Sequence, residues 1–341
     1  MSQPEDWTEP GAFEVSPGVY RIPLPLPNDG LRAVNVYALI DGPDLVLVDG
    51  GWALERSQRQ LEVALASIGR GLPEITRFLV THVHRDHYTQ AVAIRRQTGA
   101  RVFLGSGEEP SLRALAAPGA TPLATQLRLL ATAGAGPLVT ELLARVGDRR
   151  VDATDFELPD GWLDGASPVR LQGRELGVLP TPGHTRGHVV FTDRVAGLLF
   201  AGDHVLPRIT PSIGFEVEPG ELPLRDFLTS LRLVRRMPDL RLLPAHGPVG
   251  DSVHARVDQL LDHHGARLDA CQAAVVAGAE TGFDAARALP WTRRNRRFDE
   301  LDPFNRMLAT IETAAHLDLL AAQGRLTRLT VDGVHRYAQI G

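Results

Sequence analysis

Residues 81–87 read Thr-His-Val-His-Arg-Asp-His and place four potential metal ligands within six positions. They follow the apolar run at 77–81, whose composition is typical of a short buried strand. Side chains alternate in direction along a strand, so His82 and His84 at its end can point the same way. Asp86 and His87 come from the following turn and can bind a neighbouring ion. The segment predicts a metal site at the end of a buried strand.

Three further motifs extend this pattern: Pro-Gly-His-Thr at 182–185, Ala-Gly-Asp at 201–203 and Pro-Ala-His-Gly at 244–247. Each stands where a predicted strand gives way to a loop, and the glycines beside the ligands permit tight turns there. Imidazole and carboxylate donors without thiolate suit zinc, with iron or manganese as alternatives. The predicted metal ligands are His82, His84, Asp86, His87, His184, Asp203 and His246.

The HxHxDH motif, followed by Gly-His-Thr, Gly-Asp and Ala-His-Gly, resembles the metallo-beta-lactamase superfamily over about residues 19–253. The resemblance implies an α/β fold, an αββα sandwich with two metals at one edge between the sheets. It implies that Asp203 bridges the metals and that Asp49 orients ligands by hydrogen bonding. The ligands implied for the first metal are His82, His84 and His184, and those for the second are Asp86, His87 and His246.

The chain departs from this family just after the cluster, where Tyr88, Thr89 and Gln90 stand in place of a small residue and glycine. Tyr88 either packs as an aromatic residue at a helix start, which we favour, or reaches into the site to hydrogen-bond a substrate oxygen.

The strands and helices expected around these motifs follow apolar periodicity. We expect strands at 19–22, 33–40, 45–48, 77–81, 169–179, 189–192, 198–201 and 240–243. We expect helices at 53–68, 121–133, 137–146, 256–277 and 303–322. Residues 1–253 are predicted to form the catalytic domain, with a largely helical insert at 106–168 that acts as a lid or packing element. Residues 254–341, with a terminal hairpin at 325–340, are predicted to form a winged-helix-like domain.

The composition narrows the range of possible partners and cellular locations. The formal net charge is −5, and all 36 basic residues are arginine. Nucleic-acid binding rests on neutralising many phosphates, so this charge balance argues against such a partner. We expect the arginine-rich run at 291–297 to be a solvated face.

No stretch approaches the ~18 apolar residues of a membrane span. With a polar N-terminus and one cysteine, Cys271, expected to be buried, we predict a cytoplasmic protein.

Two metals can lower the pKa of a shared water to about 7 and so replace a serine or cysteine nucleophile. Asp86 and Asp203 are then placed to manage the proton. Antibiotic hydrolysis is disfavoured because the second site has no cysteine and the chain has no lysine. We predict hydrolysis of a thioester, ester or lactone, a small-molecule substrate; a homodimer is left open.

Two alternatives stay open. One is phosphodiester cleavage, as in ribonucleases of this fold, since two metals also suit attack on phosphate. The other is a non-catalytic module in which the winged helix binds DNA or mediates dimerisation and the metals are structural. The sequence gives no ligand role to the histidines beside the motifs or in the C-terminal region: His188, His204, His254, His263, His264, His316 and His335.

Overall fold

A computed structural model describes residues 6–27, 30–147, 149–292 and 295–340. Two β-sheets form the centre of the molecule. The seven-stranded sheet runs in chain order through β1 (Phe13–Ser16), β2 (Val19–Pro25), β3 (Ala33–Asp41), β4 (Asp44–Val48), β5 (Ile75–Val80), β6 (Arg101–Gly105) and β7 (Gly161–Leu163). The five-stranded sheet has the order β12 (Arg241–Pro244), β11 (Leu198–Gly202), β10 (Val189–Asp193), β9 (Glu175–Pro180) and β8 (Val169–Arg170).

The helices lie outside the sheets, and a two-stranded hairpin ends the chain. The helices are α1 (Glu55–Ser67), α2 (Arg85–Thr98), α3 (Glu109–Leu115), α4 (Ala124–Thr132), α5 (Gly136–Val146), α6 (Pro223–Arg235), α7 (Val253–Val276), α8 (Gly282–Ala288) and α9 (Pro303–Ala322). The hairpin pairs β13 (Leu326–Val331) with β14 (Val334–Gln339). No helix within the described ranges is both long and apolar enough to cross a membrane.

Strand β3 shows why the chain forms two layers of core. Its alternate residues Val34 and Val36 pack with apolar residues of α1 and α2 on the outer face of the seven-stranded sheet. Tyr37 and Leu39 face the other way and pack against the five-stranded sheet. Because both faces are buried, the strand is apolar almost throughout, as a central strand must be. The result is the predicted αββα sandwich, with a second set of helices over the five-stranded sheet.

The structure corrects the prediction of one strand at 169–179. Two short strands, β8 and β9, run antiparallel there, and the Leu171 N–H donates to the Arg174 carbonyl at 2.9 Å to close the turn between them. Gly173 lies in this turn, and periodicity alone did not reveal the reversal. Helices α3, α6 and α8 and strands β1, β6 and β7 were also missed, and α2 was expected only as a helix start near Tyr88.

The C-terminal helices share a core with the sandwich. Val257 of α7 and Leu320 of α9 belong to the same cluster as Val190 and Leu199 of the five-stranded sheet. Helices α4 and α5, from the predicted insert, pack against α9 in a separate cluster. The division at 253 and the winged-helix assignment stay predictions. Within the arginine-rich run, Arg293 and Arg294 lie outside the described residues.

A polar clamp in β3 joins the sheet to the loop after β12. The Asn35 side-chain amide donates to the carbonyls of Pro244 at 3.0 Å and Gly247 at 2.9 Å, and the Tyr37 hydroxyl donates to Pro244 at 2.8 Å. The Asn35 amide oxygen accepts from the Arg21 guanidinium at 3.0 Å. Asn35 is fully buried, so water cannot reach these groups. Without the clamp they would have no hydrogen-bond partner at this position.

Replacing Asn35 tests the clamp. Asn35→Ala leaves buried carbonyls and a guanidinium without this partner, so the free energy of unfolding should fall by about 2–4 kcal/mol. Tyr37→Phe is the matched comparison, because the Pro244 carbonyl keeps the Asn35 amide, and about 1 kcal/mol is expected. Urea denaturation measures both. Equal losses in the two variants would contradict a clamp centred on Asn35.

Candidate metal centre

The seven predicted ligands all lie where strands of the two sheets end at one edge. His82 and His84 follow β5, Asp86 and His87 open α2, His184 lies in the β9–β10 connection, Asp203 follows β11, and His246 follows β12. Parallel pairing of β11 with β12, and of β4 with β5, brings these ends to a common edge. Side chains that are far apart in the sequence thereby meet.

Three imidazole nitrogens converge in the first half of the site. His82 Nε2 lies 3.0 Å from His84 Nδ1, which lies 3.1 Å from His184 Nε2. The opposite nitrogens donate to carbonyls, His84 Nε2 to Phe215 at 3.0 Å and His184 Nδ1 to Ser212 at 2.8 Å. A carbonyl can only accept, so the nitrogens that face inward on these two rings carry lone pairs. Such nitrogens repel each other unless a cation lies between them.

Asp49 controls the orientation of one ring in each half of the site. Its carboxylate accepts from the Thr81 N–H at 2.8 Å, from the Thr81 hydroxyl at 3.0 Å and from His87 Nδ1 at 2.9 Å. Since the Thr81 hydroxyl donates to Asp49, its oxygen accepts from His82 Nδ1 at 3.1 Å. Both rings therefore turn Nε2 inward, the nitrogen that binds a metal once its proton has left. This is the orienting contact that the resemblance implied for Asp49.

The second half of the site gathers His87, His246 and Asp86. The Asp86 carboxylate lies 3.4 Å from His246 Nε2 and 3.6 Å from His87 Nε2. His246 Nδ1 donates to the Ala33 carbonyl at 2.8 Å, which again leaves its Nε2 lone pair facing inward. These three residues form the second group of potential ligands, and His82, His84 and His184, together with Asp203, form the first group.

Asp203 lies between the two groups. One of its oxygens is 3.4 Å from His246 Nε2 and 3.7 Å from His87 Nε2, and the other is 3.5 Å from His184 Nε2. Its backbone N–H donates to His188 Nε2 at 3.2 Å. The preceding Gly202 has a φ of 50°, and a Cβ there would lie 2.7 Å from the Thr81 side chain, so this tight approach requires glycine.

Three buried polar atoms of this site have no hydrogen-bond partner in the described part of the chain: Nε2 of His87, Nε2 of His246 and one oxygen of Asp203. Leaving such atoms unpaired is costly. All three lie within the set of converging donors, and imidazole and carboxylate are ordinary zinc ligands. The residues therefore fit divalent metal ions.

The site attracts positive charge even before a metal is considered. Burial lowers the pKa of His87, but the carboxylates of Asp49, Asp86 and Asp203 outweigh it and raise the pKa to about 10. Burial lowers the pKa of His82 well below its usual value, and the neighbouring imidazoles add to this effect. A metal must therefore displace a proton near His87, and its affinity should fall as the pH is lowered.

A buried carboxyl pair supports the cluster from behind. The Thr185 hydroxyl donates to Glu108, and the Arg186 N–H donates to Glu216 at 2.8 Å. Glu216 follows Phe215, whose carbonyl orients His84, and Thr185 follows His184. A Cβ on Gly187 would lie 2.0 Å from the backbone nitrogen of Glu108, so these two loops pack backbone against backbone.

Other residues near the motif have structural contacts. Tyr88 is fully buried and its hydroxyl donates to the Glu157 carbonyl at 2.5 Å, so it packs at the helix start instead of entering the site. The His204 ring packs on Phe227, with centroids 5.2 Å apart. The carboxyl pair and the orienting carbonyls were not predicted from the sequence. Backbone carbonyls leave no mark in the sequence. Asn35, in contrast, is a polar residue in an apolar strand, and this pattern could have indicated a buried structural contact.

The sandwich, with five imidazoles and two carboxylates at one edge, defines the class of the protein as a metal-dependent hydrolase. Comparison with known proteins gives the particular family. The model of the Metallo-beta-lactamase superfamily matches residues 29–246, and the chain belongs to this superfamily.

Individual relatives extend the likeness along the chain. The probable metallo-hydrolase YqjP of Bacillus subtilis is 23% identical over 327 residues, covering 90% of this chain and 92% of that protein. A hydroxyacylglutathione hydrolase of Cereibacter sphaeroides is 30% identical over 132 residues, 39% of this chain and 34% of that protein. The crystal structure of a metallo-beta-lactamase family protein from Thermus thermophilus matches with a TM-score of 0.77 and 29% identity, covering 96% of this chain and 100% of that one.

Asp49→Asn tests the orienting role of Asp49. The amide cannot accept all three hydrogen bonds, so the rings of His82 and His87 lose their fixed direction. Metal affinity should fall about 10- to 100-fold, as for other outer partners of metal ligands. Titration against a chromophoric chelator measures it. Asp44→Asn, at the start of the same strand, is the control. Unchanged affinity in Asp49→Asn would contradict the assignment.

The carboxyl pair predicts a pH dependence of stability. Burial raises the pKa values of Glu108 and Glu216, and the charge of Glu108 raises that of Glu216 further. The folded protein thus holds these protons more tightly than the unfolded chain does, and this contribution to stability is lost as pH rises through the raised values. As the pH rises from about 5 to about 8, the free energy of unfolding of Glu216→Gln should increase relative to that of the wild type by on the order of 1 kcal/mol.

Thermal unfolding at matched ionic strength measures the difference between the two proteins. Bound cations favour the carboxylate forms, so the gain should be smaller in metal-loaded protein. A difference between variant and wild type that does not change with pH would show that the pair does not titrate in this range.

Proposed function

We propose that this chain is a dinuclear metal hydrolase that cleaves a thioester, ester or lactone. The observation that carries the proposal is the position of Asp203. One carboxylate oxygen faces His184 in the first group, and the other faces His87 and His246 in the second group. A carboxylate whose two oxygens face separate sets of donors suits two ions that share one bridging ligand.

Zinc is the metal that we propose, because the donors are imidazole nitrogens and carboxylate oxygens. Iron or manganese could occupy the same mixed set. The single cysteine, Cys271, is buried in α7 and belongs to neither group of donors. The set therefore offers no thiolate that would select a softer metal.

Two divalent ions, when bound, lower the pKa of water toward neutrality and polarise a carbonyl group. The chain supplies the rest. His82, His84 and His184 would hold one ion, and His87, His246 and Asp86 the other. The Asp86 side chain is 17% exposed, whereas that of His87 is fully buried, so Asp86 is the more accessible to solvent. We assign to Asp86 and Asp203 the transfer of a proton from water to the leaving thiolate or alkoxide.

The substrate class rests on three observations. No cysteine lies in the second group of donors, and the chain contains no lysine to bind the carboxylate of an antibiotic. The chain is similar to a protein named hydroxyacylglutathione hydrolase over part of its length. An acyl bond with a stable leaving group matches a site that provides its nucleophile from water and needs no covalent intermediate. A small-molecule substrate is therefore the proposed partner.

Asp203→Ala tests this function. Loss of the carboxylate should lower turnover of a chromogenic thioester or lactone panel by at least about 100-fold, the scale expected when an electrostatic stabiliser of the reaction is removed. Metal content should fall by at least one equivalent relative to the wild type, while circular dichroism stays native. His335→Gln, in the C-terminal hairpin, is the control. A variant that keeps two metals and near-normal turnover would refute the bridging assignment, and a wild type inactive on every acyl substrate would refute the substrate class.

A further inference from the structure

A second group of histidines lies between two helices of the C-terminal region. His263 and His264 are on α7, and Glu312 and His316 are on α9. The potential ligand atoms of His263, His264 and Glu312 all lie within 4.8 Å of one another. His264 is fully buried, Glu312 is half-buried and His263 is exposed. None of these residues belongs to the hydrolase site.

The hydrogen bonds fix which nitrogen of each ring carries a proton. His316 Nδ1 donates to the backbone carbonyl of Glu312 at 2.7 Å, and a carbonyl can only accept. The ring is fully buried, which disfavours its charged form, so its Nε2 bears a lone pair. That Nε2 is 3.1 Å from His264 Nδ1, which must therefore be the donor.

His264 is left with an unprotonated Nε2. This atom is buried and has no hydrogen-bond partner among the residues that the structure describes. A buried lone pair without a partner is costly, and a bound cation would remove the cost. The relay from His264 through His316 to a carbonyl is also the usual support of a metal-binding imidazole, whose other nitrogen donates to a fixed acceptor.

We propose that His263, His264 and Glu312 bind a divalent transition metal, with zinc as the best match, at a site separate from the hydrolase centre. Two imidazoles and one carboxylate are a common zinc ligand set, and the exposed position of His263 leaves a fourth position open to water. The ion would join α7 to α9. His316 would be a positioning residue, since it acts through His264.

Two positive charges lie near His263: Arg256 and, one turn along α7, Arg267. The Arg267 guanidinium donates to the Pro290 carbonyl at 3.0 Å and lies 4.0 Å from the centre of the Trp291 ring. These contacts hold it, but its charge still opposes a cation. We therefore expect this site to bind zinc more weakly than the carboxylate-rich hydrolase centre, which has Asp86 and Asp203.

Zinc titration against a chromophoric chelator tests the proposal with the full-length protein. The wild type should bind one more equivalent than His263→Gln, whose exposed side chain can be changed without disturbing the core. Glu312→Gln should lose the same equivalent, and His316→Gln should weaken it about 10- to 100-fold. His335→Gln, outside the cluster, should match the wild type.

Two outcomes decide the matter. Loss of one equivalent in both His263→Gln and Glu312→Gln, with circular dichroism unchanged, supports the site. Equal stoichiometry and affinity in the wild type and His263→Gln overturn it. If a protonated Glu312 donates to His264 in place of a metal, the titration gives this second result, and the metal site is refuted.

Discussion

The site depends on the tautomers of its histidines. Five imidazoles each donate one ring N–H to a fixed acceptor, and each then turns the other nitrogen into the same buried space. Three acceptors are backbone carbonyls, at Ala33, Ser212 and Phe215, and the other two are Thr81 and Asp49. Rotation of a ring would sacrifice a buried hydrogen bond, so the protein holds converging lone pairs that only cations can satisfy.

This constraint explains features of the fold that lie away from the ligands. Strand β3 provides the carbonyl that orients His246 and the Asn35 clamp that holds the loop carrying it. The segment between β11 and α6 provides the carbonyls for His84 and His184, and the Glu108 and Glu216 pair packs behind it. The outer partners thus come from chain segments far from the motifs, and the sandwich brings them together.

Much of the site could be predicted from sequence because its ligands stand in short motifs at strand ends. Short apolar runs placed β3, β4, β5, β10 and β11, and the superfamily is confirmed. The reversal at Gly173 was lost because a two-residue strand has too little periodicity to detect. The carboxyl pair was missed for another reason: its significance lies in contacts across the fold, which a linear pattern does not contain.

The histidines of α7 and α9 show the limit most clearly. His264 and His316 lie 52 residues apart in two helices, and each alone resembles an ordinary buried histidine. The hydrogen bonds connect them: the Glu312 carbonyl fixes the proton on His316 Nδ1, and His316 Nε2 then fixes the proton on His264 Nδ1. As in the hydrolase centre, a proton fixed on one ring nitrogen leaves a lone pair on the other, here His264 Nε2. The hydrolase centre and the α7–α9 group differ in their ligands. In both, the ring nitrogen that donates to a fixed acceptor leaves the other nitrogen of the same ring free to bind a cation.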